Sequence, residues 1–158
     1  MQHESDRSSA IVSSALTEDI NARAICNRLI PVSNTHYDNL FGDKGPLGTF
    51  SAKIEMGYSL GLYGPIAKGD LHKIRKIRNE FAHELGIDFG HEKIVKICKT
   101  ITDYPRDDLD VAAAEVAKKP SVKIATRIKF GITVMYLSRR ILREGRIVRA
   151  PPAPTQSA

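Results

Sequence analysis

The chain has no tryptophan, five phenylalanines and five tyrosines in 158 residues. None of these rings is interleaved with its basic runs, which argues against a base-stacking platform for single-stranded nucleic acid. Cysteine is nearly absent too. Cys26 and Cys98 form no C-x-x-C pair and read as small buried hydrophobes in a reducing compartment, with no disulfide between them. Long apolar runs are missing: the longest, from Phe130 to Leu137, is interrupted by Gly131 and Thr133 and falls short of the ~18 residues a membrane span needs. The first residues, Met1 to Arg7, lack an apolar signal region, so the expectation is a cytoplasmic protein with no membrane contact.

Several catalytic and cofactor signatures are missing as well. His72, His83 and His91 follow neither H-x-x-x-H nor H-E-x-x-H spacing, so no metal is expected. The glycine-rich loop at residues 42–49 lacks the G-K-[ST] step of a P-loop and follows no hydrophobic strand. It reads as a sharp connection, built on Gly45 and Pro46, that sets the entry angle of the next helix. No G-x-S-x-G elbow and no helix-turn-helix pair is present. No cofactor is expected.

Positive charge is plentiful, and unevenly placed. The net charge is +6, yet residues 118–149 hold ten Lys or Arg against Glu144 alone, leaving the rest of the chain net acidic. That asymmetry suits an acidic partner, with a solvated helix end and basic tail as the plain alternative. Lys123, Arg127, Lys129, Arg139, Arg140 and Arg143 are the candidate contacts there, and direct DNA binding by this region is one reading of them.

Hydrophobic periodicity predicts an all-α, single-domain bundle of about five to seven helices over residues 1–149, followed by a disordered proline-rich tail at 150–158. A first helix is expected from about Asp6 to Leu29, carried by Val12, Leu16, Ile20 and Ala24, capped by Ser5 or Asp6 and stopped by Pro31. A polar connection with one helical turn at residues 38–41 follows. The next helix carries Phe50, Ile54, Tyr58 and Leu62 on one face and breaks at Gly64-Pro65. Residues 65–85 form another, with Leu71, Ile74, Ile77 and Phe81 as its buried stripe and Gly86 as its stop. A short helix over residues 91–101 uses Ile94, Ile97, Cys98 and Ile101. A polar stretch with Asp107, Asp108 and Asp110 comes next. The last element alternates like a strand over Val122, Ile124, Ile128, Phe130 and Ile132, so residues 121–127 fit either state. Its length favours helix.

The chemistry concentrates in Arg78-Asn79-Glu80-Phe81-Ala82-His83. Cleaving RNA through its own 2′-hydroxyl needs a base, an acid and a cation for the phosphorane, and His with Arg can supply them without a metal. At about 100° per residue Arg78 flanks the apolar stripe, while Asn79 and His83 lie a turn apart on nearly the opposite side. They must face solvent, another helix or a second subunit. If two copies pair through this face, two Arg–His sets line a shared cleft. The competing reading is that Asn79 and His83 fasten to a neighbouring segment, such as that of Asp6 and Arg7. Lys73, Arg75 and Lys76 on the same helix suit phosphate or a partner, or simply solubility.

Several blocks together resemble the mannitol operon repressor (MtlR) family. They are residues 4–10 (Glu-Ser-Asp-Arg-Ser-Ser-Ala), Leu40-Phe41-Gly42 running into Gly45-Pro46-Leu47-Gly48-Thr49-Phe50-Ser51-Ala52-Lys53-Ile54, Tyr58-Ser59-Leu60-Gly61-Leu62, and above all residues 70–83. The resemblance spans roughly residues 3–145. It implies an all-helical fold and a role in transcriptional repression without a recognised DNA-binding motif. Residues 78–83 are also similar to the R-x(4–6)-H signature of HEPN domains, many of which are dimeric, metal-independent ribonucleases and others non-catalytic. That similarity implies Arg78 as phosphate binder, Asn79 as positioning residue and His83 as acid or base. The expectation is therefore a dimeric MtlR-type regulator with a protein, DNA or RNA partner; the alternative is a HEPN-type endoribonuclease or toxin.

Overall fold

The computed structural model describes residues 2–29, 33–103 and 121–145. Within them the chain is all-helical, with six helices and no strand: α1 (Gln2–Cys26), α2 (Asn34–Phe41), α3 (Phe50–Ser59), α4 (Pro65–His83), α5 (Glu92–Lys99) and α6 (Val122–Gly145). α1 packs along α6 and also meets α4 and α3, while α4 touches α1, α3, α5 and α6 and so occupies the centre.

The reason α4 is central lies in its stripe. Leu71, Ile74, Ile77 and Phe81 are all fully buried, as their i, i+3, i+6 and i+10 spacing requires of one helical face. Gly64 precedes Pro65 at the first helical position, where proline's missing N–H costs nothing. The helix ends at His83, and Gly86 takes a left-handed φ of 83° three residues later, turning the chain back toward α5. Ser33 caps α2, Thr49 caps α3 and His91 caps α5, each through a side-chain acceptor.

Three expectations need correction. α1 begins at Gln2 and ends at Cys26, so Ser5 and Asp6 lie inside the helix and do not cap it. Only the end of its expected stripe is buried: Val12 is 65% and Leu16 56% exposed, Ala24 is in the core, and the buried side otherwise carries Asp6, Ala10, Ser14, Thr17, Asn21 and Ile25. Small and polar groups occupy that side because α6 and α3 approach closely, and α6 and Tyr63 supply partners. Thr17 Oγ1 lies 3.2 Å from Ser138 Oγ of α6, and Asn21 Oδ1 lies 3.2 Å from the Tyr63 hydroxyl, itself 3.0 Å from the Ile54 carbonyl. Gly57 belongs to the same junction, since a Cβ there would sit 2.4 Å from the Tyr63 hydroxyl. The single turn expected at residues 38–41 is a full helix, α2.

Residues 122–145 are helical, which resolves the strand-or-helix ambiguity for all but Ser121, the residue just before α6. Alternation there arises because α6 buries a wide face, including Phe130, Ile132, Val134, Leu137 and Ile141. The stop at Pro31, the acidic stretch after Tyr104 and the tail at 150–158 lie outside the described residues.

Candidate functional site

Building outward from the buried stripe of α4, its other side carries the polar groups the sequence singles out. Arg78 Nη1 donates to Asn79 Oδ1 at 3.2 Å, and both side chains are half-buried. His83, one helical turn beyond Asn79, is exposed. The fastening expected of this face exists, but other atoms make it: Arg7 of α1 donates to the Ala82 carbonyl at 3.0 Å. His83 therefore holds no neighbouring helix in place.

Arg75, Arg78 and Asn79 line a cleft of about 280 Å³. Its opposite wall is the glycine-loop exit and the first turn of α3, with Thr49, Phe50 and Ser51, and Glu18 of α1 completes the rim. Gly45 makes this geometry: a Cβ there would lie 2.4 Å from the Leu40 carbonyl oxygen, so only glycine permits the tight turn. Pro46 beside it is exposed. The carboxylate of Glu18 is paired with Lys53 at 2.6 Å. Arg75 Nε is buried and meets no acceptor.

The remaining candidate cations divide into two groups. Lys123 and Arg127 grip the buried Asp6 at 3.0 and 3.1 Å, and Lys123 also reaches Asp88 at 3.1 Å. The paired carboxylates of Asp6 and Asp88 hold the Lys123 ammonium above its ordinary range. Lys73 pairs with Asp70 at 2.7 Å and Arg140 with Asp103 at 2.8 Å. These four are structural cations. Arg143 meets Glu144 at 3.4 Å on the surface, where such a pair contributes little. Lys76 and Arg139 are exposed and make no ion pair among the described residues, and Lys129 is half-buried. Arg139, Arg140 and Arg143 line a second hollow with Tyr136, at the far end of α6 from Lys123. Among the described residues, the basic groups of α6 thus split between the carboxylate-paired Lys123 and Arg127 near its start and Arg139, Arg140 and Arg143 near its end.

Sequence reasoning missed the part played by α3. The threonine before Phe50 is a legible N-cap signal, but that its helix start faces Arg75 and Arg78 depends on how α3 crosses α4. No group of His, Cys, Asp and Glu able to hold a metal ion occurs among the described residues, and no described helix is long and apolar enough to cross a membrane.

Cys98 is buried, which pushes its thiol up to about 12. Since thiolate is the reactive form, iodoacetamide at pH 8 is expected to modify Cys98 at least ~tenfold more slowly in the native chain than in urea. Peptide mass spectrometry over time checks this; equal rates would mean that α5 does not stay packed.

No family model, no curated protein and no solved structure matches the chain.

Proposed function

We propose that the chain is a transcriptional regulator of the MtlR type, working as a homodimer through contacts with a protein or nucleic-acid partner. The observation that carries this reading is the division of labour on α4. One side is consumed by the core, while the rest offers Arg75 and Arg78 without a carboxylate partner among the described residues, Asn79 beside them and an exposed His83. Side chains that only held the fold together would be spent on internal partners, as Lys73, Lys123, Arg127 and Arg140 are. The resemblance in residues 40–83 points the same way, because the blocks that carry it supply both walls of the cleft.

Deleting the coding sequence in its native host is expected to raise the transcripts of a confined set of genes. Wild type should restore them, and an Arg78→Ala, His83→Ala double variant should not. An unchanged transcript profile would refute the regulator reading.

The exposure of His83 also favours a second reading, a metal-independent HEPN-type endoribonuclease. Arg78 would bind the scissile phosphate, Asn79 orient it and His83 move the proton. His83 makes no side-chain hydrogen bond or ion pair among the described residues, so the His83→Ala variant should fold like wild type and the assay is clean. RNA cleavage in EDTA by wild type and not by this variant would replace the regulator-only reading.

A further inference from the structure

We propose that the cleft between the start of α3 and the middle of α4 is a binding site for a small oxyanion, specifically the phosphate group of a small molecule. The argument begins with charge. Arg75 and Arg78 project from successive turns of α4, and neither has a carboxylate within ion-pair distance among the described residues. Glu18, the acidic group on the rim, is already neutralised by Lys53 at 2.6 Å. The cleft therefore carries uncompensated positive charge.

Donors follow the charge. Arg75 lines the cleft half-buried, and its guanidinium has no hydrogen-bond acceptor among the described residues. Across the cleft, Thr49 caps α3 by accepting from Ala52 N at 3.1 Å, and its carbonyl takes Lys53 N at 3.1 Å. The preceding N–H groups, those of Phe50 and Ser51, are left without an intrahelical acceptor, at the positive end of the helix dipole. Two guanidinium groups, the Asn79 amide and a helix start thus converge on one concavity from two elements.

Size selects the ligand. About 280 Å³ lies below the usual range for a drug-sized ligand and suits one phosphate with a few attached atoms. A nucleic-acid strand would gain little more than that phosphate, because the aromatic side chain at the cleft, Phe50, is buried and offers no face for a base. This inference stands apart from the regulator reading: oxyanion binding can be measured whether or not any transcript changes.

The test uses the full chain, titrated calorimetrically with inorganic phosphate at pH 7.5 against chloride of matched ionic strength. Arg75→Gln removes one charge and the guanidinium donors. Ser51→Asp places a carboxylate in the first turn of α3, where it favours the helix but repels an anion. Lys96→Gln alters an exposed cation on α5, remote from the cleft. Phosphate affinity is expected to fall at least about tenfold in the first two variants, as loss of one charge-assisted hydrogen bond implies, and to hold in the third. Circular dichroism confirms folding, and Ser51→Asp alone decides the matter if Arg75→Gln unfolds. Absence of phosphate binding by wild type, or equal weakening in all three variants, would overturn the proposal. So would a ten-nucleotide RNA that binds with the Arg75 and Ser51 dependence while phosphate does not; that result would assign the cleft to a phosphodiester strand.

Discussion

Phe89→Ala is expected to lower the free energy of unfolding by about 4 kcal/mol. Phe89 is fully buried although it lies between helices, in the connection from α4 to α5. Its ring centroid sits 5.0 Å from that of Phe81 on α4 and 5.3 Å from that of Phe130 on α6, both at tilted angles. Truncation thus removes one ring's burial, two aromatic contacts and the filling between two helices that meet only lightly elsewhere. The site cannot collapse easily, because each neighbouring ring is itself fixed in the core. For a chain of this size the loss corresponds to a fall of roughly 10 °C in the unfolding midpoint. Phe89→Leu keeps much of the volume and should recover more than half of it. Thermal and urea unfolding followed by circular dichroism measure both; a loss under about 1 kcal/mol for Phe89→Ala would show that the ring is not the wedge described.

Asp70→Ala comes next, at about 3 kcal/mol. Asp70 is completely buried, and its two oxygens serve three donors: Lys73 Nζ at 2.7 Å, Thr102 N at 2.8 Å and Asp103 N at 2.6 Å. It ties the chain after α5 back onto α4. Removing it leaves two backbone donors without their acceptor and the Lys73 ammonium with the Thr100 carbonyl alone. Part of the penalty is recovered because Thr102 is exposed and water can replace one bond. The disturbance also reaches α6, since Asp103 holds Arg140 at 2.8 Å. A cycle with Arg140→Met should show coupling of at least ~0.5 kcal/mol between the two positions. Additive losses would mean that Asp103 keeps its place without Asp70.

Much of the architecture was readable in the residues. The α4 stripe, the start of α4 at Pro65 and the helix beginning at Phe50 follow from spacing and punctuation, and length favoured helix over residues 122–145; the helix from Phe50, however, ends at Ser59, ahead of the break read at Gly64-Pro65. The failures have a common cause. α1 displays Val12 and Leu16 to solvent and buries Asp6, Thr17 and Asn21, because hydrogen bonds and ion pairs from α6 and Tyr63 meet polar groups that periodicity assigns to the surface. A single sequence carries no sign of who the partner will be.

The candidate site divides in the same way. Arg78, Asn79 and His83 stand out from residue type and spacing alone, and the place of Arg78 on the flank of the apolar stripe, with Asn79 and His83 nearly opposite it, is a matter of helical geometry. Which of the basic residues remain available was not legible. Lys123 and Arg127 look as suited to an anionic partner as Arg75 does, yet the first two close on Asp6 and the third is left with a buried, unaccepted Nε. By itself, then, the sequence determined the helices, the core face of α4 and the residue types able to meet a phosphate, because these depend on local propensity and a 3.6-residue period. Tertiary structure alone decided which cations are spent on carboxylates, that His83 stays exposed and that the start of α3 faces Arg75 and Arg78. Those outcomes depend on distances between segments far apart in the chain.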